Sequence, residues 1–160
     1  MIRTFASKNI DEIVHCYSNT LLKIAYQNTK CYAYSEDILQ DVYLKLIKYK
    51  GSFESEEHLK AWLIRVTINR CKDHMKSAWF KRRGEMPEEI YLKSPEDQKV
   101  MEEIFELEPM DRNIIYLFYY EGYSILEISE ILKKNSNTIG SRLRRARQKL
   151  KYILEERSLI

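Results

Sequence analysis

A segment near the carboxyl terminus, residues 124–151, constrains the fold more than any other part of the chain. Ser124 is followed three positions later by Glu127, which is the spacing of a helix capping box. Apolar residues recur at helical spacing until a polar turn, where Asn135 or Ser136 can cap a second helix. The apolar stripe of that second helix consists of Ile139, Leu143, Ala146 and Leu150. The pattern predicts two helices joined by a tight turn, the helix-turn-helix arrangement.

The face of the second helix opposite this stripe is polar and basic. Eight Lys or Arg residues and no acidic residue lie between Lys133 and Lys151. A solvated face of an ordinary core helix is the alternative, but such faces usually mix the two signs of charge. The unmixed charge favours contact with DNA phosphates or with base edges in a major groove. The side chains that point away from the apolar stripe are Asn137, Ser141, Arg144, Arg145 and Gln148.

Charge is distributed unevenly over the 160 residues. Residues 1–83 carry a net charge of +6, residues 84–108 carry −7 and residues 109–160 carry +4. Two basic parts flanking an acidic connector suit a protein that touches nucleic acid at two places. Hydrophobic residues make up 44% of the chain, which allows packed cores and argues against wholesale disorder.

Helical periodicity runs through the amino-terminal half of the chain. The spacing predicts a helix over residues 10–29 and another that begins at Ser35, the expected N-cap, and places Ile47 in the core. After a loop, Ser55 is expected to cap a helix with Trp62 in the core. No strand pattern appears anywhere in the chain.

We therefore expect an all-α protein with two small helical domains joined by a flexible acidic linker. The domains are residues 1–83 and 96–160, and the linker is residues 84–95, where proline and charge keep the chain extended. In the second domain Pro109 suits the first position of a helix, and Gly122 suits the left-handed position that follows a helix end. The helix-turn-helix follows.

Several classes of function find no support in the sequence. No apolar run approaches membrane-spanning length and the first residues lack a signal-peptide core, so a cytoplasmic protein without membrane insertion is expected. The three cysteines, Cys16, Cys31 and Cys71, are far apart, so buried reduced thiols are expected and no metal or cofactor is predicted. The three histidines have no partner at motif spacing, so no catalytic site is predicted.

Trp79 and Phe80 lie among basic residues at the end of the helix that Ser55 begins. Aromatic rings beside cations can stack on unpaired bases. The same rings can instead pack on a neighbouring helix, and the sequence leaves both interpretations open.

Three motifs occur in order over nearly the whole chain. Residues 37–43, DILQDVY, are similar to D-x-x-Q-E-x-F, and residues 53–69, with AWLIRV at their centre, are similar to W-L-x-R-I-A-x-N. Between residues 107 and 147 the sequence is similar to a helix-turn-helix domain found with those motifs. Together they resemble the bacterial RNA polymerase sigma factors of the sigma-70 family, in the small extracytoplasmic-function (ECF) group.

The resemblance implies a promoter-specificity subunit with no catalytic site. Its implied partners are core RNA polymerase, contacted at the clamp helices and the flap, promoter DNA and an anti-sigma factor. The residues implied in polymerase docking are Asp37, Gln40 and Asp41. Those implied in recognition and melting of the −10 element are Phe53, Ser55, His58, Asn69, Lys72 and Lys76. Those implied in −35 recognition are Asn137, Thr138, Ser141, Arg144, Arg145 and Gln148.

Two residues depart from the family pattern. Gly140 stands where the family often has a long basic residue, and Lys134 stands in the turn where an apolar residue is usual. Arg147 lies nearer the apolar stripe than the exposed arginines of the outer face, and we expect it to pair with Glu127 or Glu130 or to reach the backbone.

A stand-alone helix-turn-helix regulator that never binds polymerase is the alternative function. It would leave the polar strip of Asp37, Gln40 and Asp41 and the motif around Trp62 unexplained. A nuclease is a third possibility, but no pair of acidic residues lies in the context of a metal site.

The linker generates the first testable prediction. We expect limited proteolysis of the protein alone to cut first between Gly84 and Pro95, because this stretch has no apolar face to bury. Two resistant helical fragments should remain, and mass spectrometry of the fragments locates the cut. A first cut inside residues 56–76 would contradict the division into two domains.

Overall fold

The computed structural model describes residues 4–81 and 103–158 of the chain. The chain divides into two compact units, Met1–Glu89 and Ile90–Ile160. The predicted linker, residues 84–95, lies outside the described residues, as do the side chains of Trp79 and Phe80. Six helices and one two-stranded hairpin lie in the described residues, which confirms the all-α prediction.

Three helices build the first unit, and each packs against the other two. They are α1, Ile10–Thr29, α2, Tyr32–Lys48, and α3, Glu56–Lys81. Complete burial of an aliphatic side chain of this size contributes about 1.5–3 kcal/mol, so this shared core orients the three helices. Its most deeply buried side chains are Ile13, Leu21, Ile24, Ile38, Leu46, Leu59, Leu63, Ile64 and Ile68.

A short antiparallel hairpin precedes α1. Its strands are β1, Thr4–Phe5, and β2, Lys8–Asn9. The sequence showed no strand pattern here, because two residues are too few for alternation to be visible. Ala6 and Ser7 form the turn with φ values of 45° and 69°, the backbone of a turn that Asn and Gly favour. A left-handed conformation costs a residue with a Cβ roughly 1–2 kcal/mol, so contacts outside the turn must hold it.

The junction between α1 and α2 differs from the prediction. Ser35 was expected to cap α2, but the helix begins at Tyr32 and its N-cap residue is Cys31. Ser35 is buried, and its hydroxyl donates to the carbonyl oxygen of Cys31 at 2.8 Å and lies 2.9 Å from the Thr29 hydroxyl. Its side chain therefore ties the first turn of α2 to the end of α1.

Two expectations about burial in the first unit are wrong. Ile47, predicted in the core, is 48% exposed, and with Leu44 it gives α2 an apolar edge that faces solvent. Cys16 is exposed, whereas Cys31 and Cys71 are buried as expected. Burial raises the pKa of the Cys71 thiol from 9.0 to about 12, so this thiol is protonated and unreactive at neutral pH.

The second unit contains the remaining three helices. They are α4, Pro109–Tyr119, α5, Ile125–Leu132, and α6, Ser136–Ser158. Pro109 begins α4, as predicted. Gly122 has the predicted left-handed conformation, with a φ of 73°, but it lies two residues after the C-cap Tyr120 rather than directly after it. The α6 helix packs against both α4 and α5. The core side chains are Ile104, Leu107, Ile114, Leu117, Ile128, Ile131, Ile139, Leu143 and Ala146.

Side-chain caps define the turn between α5 and α6. The Ser124 hydroxyl accepts from the backbone N–H of Glu127 at 3.1 Å, and the Glu127 carboxylate accepts from the backbone N–H of Ser124 at 3.0 Å. Lys133, the C-cap residue that follows α5, has the left-handed conformation. The Asn135 side chain then accepts from the backbone N–H of Asn137 at 2.8 Å. The predicted capping box and helix-turn-helix are confirmed, and Asn135 is the cap of α6.

An ion pair ties α6 to the start of α4. The Arg142 guanidinium lies 3.0 Å from the Asp111 carboxylate and 3.7 Å from that of Glu108. The Asp111 side chain is only 19% exposed, so screening by solvent weakens this pair less than an open surface pair. The contact holds the long helix at a fixed rotation on α4.

The capping box generates a stability prediction. We expect Ser124→Ala to lower the free energy of unfolding of the second unit by about 1 kcal/mol, because the N–H of Glu127 loses its acceptor. Urea unfolding monitored by far-ultraviolet circular dichroism measures this free energy. Ser124→Asp, which restores an acceptor, is the matched control. Both tryptophans belong to the first unit, so tryptophan fluorescence should report an unchanged transition. A shift of the fluorescence transition would contradict a local effect.

Candidate nucleic-acid interface

The amino-terminal half of α6 carries one exposed polar face. Ile139, Leu143 and Ala146 are at most 2% exposed on the opposite side. At 100° per residue the six side chains implied in −35 recognition fall within an arc of about 120°. Ser141 is half-buried, and the exposed members are Asn137, Thr138, Arg144, Arg145 and Gln148. The structure thus brings all six to the same face.

Gly140 lies at the edge of this face, about 40° outside that arc, and leaves the edge without a side chain. The shallow depression around it is lined by Ile125, Ser136, Asn137, Ser141 and Arg144. A Cβ added at Gly140 would meet only the Cδ1 atom of Ile125, at 4.0 Å, which is an ordinary van der Waals distance. Neither crowding nor backbone conformation therefore requires a glycine here.

Three of the eight cations counted in the sequence are engaged within the unit. Arg142 pairs with Asp111, and the Arg147 guanidinium lies 5.8 Å from the centre of the Tyr119 ring. Nε of Arg145 donates to the backbone carbonyl of Ser141 at 3.4 Å. The expected partner of Arg147 was a glutamate of α5 or the backbone, and the structure gives it an aromatic partner on α4 instead. An aromatic partner was invisible in the sequence because it depends on how α6 packs against α4. Arg144 and Arg145 are exposed on the outer face.

The loop between α2 and α3, residues 49–55, is folded on an aromatic cluster. The Phe53 ring lies at its centre, 5.0 Å from the Tyr49 ring, 5.6 Å from Trp62 and 5.3 Å from His58. These separations are those of favourable stacked and edge-to-face pairs. Trp62, predicted in the helical core, is half-buried and supports this loop.

Ser55 and His58 shape the first turn of α3. The Ser55 hydroxyl accepts from the backbone N–H of His58 at 3.1 Å, which confirms the predicted cap. The Nδ1 atom of His58 accepts from the backbone N–H of Glu54 at 3.1 Å. A neutral imidazole that accepts at Nδ1 carries its proton on Nε2. Because His58 is exposed, this N–H can be offered to a nucleic-acid acceptor.

The outer face of α3 aligns most of the side chains implied in −10 recognition. His58, Asn69, Lys72 and Lys76 are exposed and fall within about 60° of one another around the helix. They extend over roughly 27 Å along its axis. Arg65 lies in the same arc and is half-buried, although no role was predicted for it. A helical wheel of α3 would have found it.

The side chains implied in polymerase docking lie on α2. Asp37 and Gln40 are exposed, as expected. Asp41 is half-buried and paired, because Arg70 of α3 donates from both Nε and Nη2 to one carboxylate oxygen at 2.8 Å. The two residues are 29 positions apart, so only the packing of α2 on α3 reveals the pair.

A histidine lies beside this ion pair. The His74 ring packs 4.7 Å from the Tyr34 ring, with the two planes tilted by 54°. Burial, and next the charge of Arg70, lower the pKa of His74 below its ordinary value of 6.5. The ring is therefore neutral at physiological pH and adds no positive charge beside the docking strip.

Within residues 4–81 and 103–158, no His, Cys, Asp or Glu side chains group in threes or more as a metal ion would require. Over the same described ranges, no helix combines the length and the apolar character needed to cross a membrane.

Both units match regions of a known protein family. Sigma-70 region 2 matches residues 13–81, and sigma-70 region 4 matches residues 97–150. The ECF RNA polymerase sigma factor BldN of Streptomyces coelicolor is 26% identical over an alignment of 153 positions, which covers 88% of this chain and 58% of that protein's length. The ECF RNA polymerase sigma factor SigK of Mycobacterium sp. (strain KMS) is 26% identical over 172 positions, covering 96% of this chain and 89% of SigK.

A solved structure shares the fold. The sigma factor RpoE of Bartonella quintana, in complex with the anti-sigma factor NepR, aligns with a TM-score of 0.78 at 24% identity, covering 91% of this chain and 96% of that one. The chain therefore belongs to the sigma-70 family of RNA polymerase sigma factors, in its ECF group. The resemblance seen in the motifs is confirmed.

The depression at Gly140 generates a prediction about DNA binding. We expect Gly140→Arg to raise the affinity of the second unit for −35 DNA severalfold, because it adds a cation to the exposed face without a steric clash. Gly140→Ala is the matched control: it should stabilise the helix by about 1 kcal/mol and leave affinity nearly unchanged. Fluorescence anisotropy of labelled duplexes over a range of salt concentrations measures both variants. Equal affinity gains in the two variants would show that helix stability, rather than charge, is responsible.

Proposed function

We propose that this protein binds core RNA polymerase and directs it to specific promoters, acting in the cytoplasm as an ECF sigma factor with no catalytic site of its own. One observation carries the proposal. The same chain contains a region 2 unit, with a polar strip on α2 and a polar face on α3, and a region 4 unit whose helix-turn-helix exposes a basic face. A regulator that bound DNA alone would need only the second unit.

Docking on the polymerase is assigned to α2. Asp37, Gln40 and Asp41 are the proposed contacts with the clamp helices, and Leu44 and Ile47 provide exposed apolar area on the same helix. Interfaces commonly combine an apolar centre with a polar rim, and α2 offers both. The pair with Arg70 restrains the Asp41 carboxylate before polymerase arrives. The flap of the polymerase is the proposed partner of the second unit.

Recognition of the −10 element is assigned to the loop 49–55 and the outer face of α3. Phe53, Ser55 and His58 are proposed to receive an unpaired base at the amino end of the helix. Asn69, Lys72 and Lys76 are proposed to hold the separated strand, because cations neutralise phosphates and an amide can bond to base edges. Aromatic rings beside a cationic track are typical of surfaces that bind single-stranded nucleic acid.

Recognition of the −35 element is assigned to α6. The recognition helix of a helix-turn-helix lies in the major groove with its amino-terminal residues on base edges. Arg144 and Arg145 can bond guanine edges, and Asn137, Thr138, Ser141 and Gln148 can bond base edges or phosphates. The capped turn between α5 and α6 fixes the angle at which this face meets the groove.

An anti-sigma factor is the third proposed partner. The RpoE structure that shares this fold contains the anti-sigma factor NepR. The exposed apolar edge of α2 and the exposed basic face of α6 are both surfaces that an inhibitor can cover to keep a sigma factor from polymerase and DNA. Capture of this chain in the absence of polymerase would then control its activity.

Run-off transcription with purified core polymerase on a pool of genomic promoter fragments tests the function. We expect the chain to direct specific transcripts that core polymerase alone does not make.

Asp37→Ala combined with Gln40→Ala should reduce recovery of core polymerase in a pull-down, because it removes two exposed docking contacts while the apolar core of the first unit stays intact. A chain that binds promoter DNA but neither binds core polymerase nor supports transcription would establish the stand-alone regulator instead.

Base reading by α6 generates a further prediction. We expect Arg145→Ala to lose about 1–3 kcal/mol of discrimination at a restricted set of −35 positions, as the loss of a bidentate guanine contact would. Arg147→Ala is the matched control, because that side chain lies on Tyr119 and should affect stability more than base preference. Selection of the holoenzyme against a randomised −35 library measures both. If Arg145→Ala selects the same −35 sequence as the wild type, α6 is not the helix that recognises the −35 element.

A further inference from the structure

The amino-terminal hairpin, residues 4–9, has no part in the functions assigned above. It also precedes the stretch that matches sigma-70 region 2, which begins at residue 13. We propose that this hairpin is a positioning element for the loop 49–55, holding Phe53 and the first turn of α3 in the arrangement that receives an unpaired base. The inference rests on the proposed role of that loop in −10 recognition.

The first support is the aromatic contact between hairpin and loop. Phe5, in β1, is 4% exposed, and its ring centre lies 6.2 Å from that of Phe53 with the planes tilted by 59°. Among the described residues, the other aromatic neighbours of Phe53 are Tyr49, His58 and Trp62, at 5.0, 5.3 and 5.6 Å. The hairpin therefore supplies one member of the cluster that surrounds Phe53, and a side chain from outside the loop restrains its central ring.

The second support is an ion pair at the start of α3. The Lys8 ammonium, in β2, lies 3.3 Å from the carboxylate of Glu56, the first residue of α3. The hydrogen bond to Glu56 raises the pKa of Lys8 above its ordinary value of 10.5, so the lysine stays charged. An exposed pair of this kind contributes little to stability, but it shows that the hairpin lies against the helix end that carries His58.

The third support is the backbone of the turn. Ala6 and Ser7 both have positive φ, although neither is a glycine or asparagine. Such conformations persist where surrounding contacts hold them, and a two-stranded hairpin alone is marginal in water. The buried Phe5 ring is a contact that can hold this one. The hairpin and the loop therefore order each other, since loss of either removes packing from the other.

The loop itself depends on packed rings. A Cβ added at Gly51 would lie 2.5–2.7 Å from atoms of the Tyr49 side chain, so the Tyr49 ring crosses directly over this glycine. The same ring stacks on Phe53. A shift of Phe53 would therefore move Tyr49 as well. We infer that removal of Phe5 from the far side displaces the loop while the apolar cores of the helices stay in place.

The test uses holoenzyme assembled from core polymerase and the full chain. Promoter opening is monitored through the fluorescence of 2-aminopurine placed in the −10 element of a duplex promoter. The affinity of the holoenzyme for the closed promoter is measured on the same DNA at low temperature. Phe5→Ala should slow opening about tenfold, since small errors in the position of a recognition group are costly, while closed-complex affinity stays nearly constant. Phe5→Leu should recover part of the rate, and Thr4→Ala, an exposed position of the same strand, is the matched control.

A second variant acts in the opposite direction and covers the case in which Phe5→Ala fails to fold. Ala6→Asn with Ser7→Gly suits the turn and should strengthen the hairpin, so opening should be as fast as in the wild type or faster. Three results would overturn the inference. The double variant could open the promoter more slowly than the wild type, or Phe5→Ala could open it at the wild-type rate. Phe5→Ala could also lose binding to core polymerase to the same extent as it loses promoter opening. A wild-type chain that directs no transcription would instead overturn the proposed function.

Discussion

Burial of one apolar stripe on each long helix decides what its opposite face can do. On α3 the buried side includes Leu63 and Ile68, and on α6 it includes Ile139 and Leu143. Each fully buried aliphatic side chain contributes about 1.5–3 kcal/mol, more than any exposed polar contact in the molecule is expected to contribute. Core packing therefore turns the polar faces toward solvent. The capped helix ends fix where each helix begins and so which side chains its polar face contains.

The polar surfaces of the first unit are coupled through the packing of α2 on α3. Arg70 of α3 holds Asp41 on the docking strip, and His74, next to that pair, remains neutral. At the other end of α3 the aromatic cluster around Phe53 joins the loop to the helix. A single helix thus supports the surface proposed for polymerase and the surface proposed for the separated strand, so one rigid element sets the geometry of both.

Much of the fold followed from the sequence, and the failures share a cause. The capping box at Ser124 was predictable because its bonds join residues three positions apart. Ser35 is also of a residue type that caps helices, but it does not cap α2, since its hydroxyl is used by Thr29 and Cys31 at the junction of two helices. Ile47 met the helical period, yet the shape of the bundle left it exposed. Local patterns therefore predicted most of the helices correctly but did not predict which side chains of other helices contact them.

The sequence by itself determined the all-α class and five of the six side chains on the outer face of α6, because helical periodicity and caps depend on neighbours within a few residues. The resemblance of three ordered motifs identified the family and added Thr138 to that face. Only the tertiary structure decided the partners of Asp41 and Arg147 and the contact of Phe5 with Phe53. These contacts join separate elements, so they depend on the packing of whole helices and of the hairpin. No spacing rule along one helix contains that information.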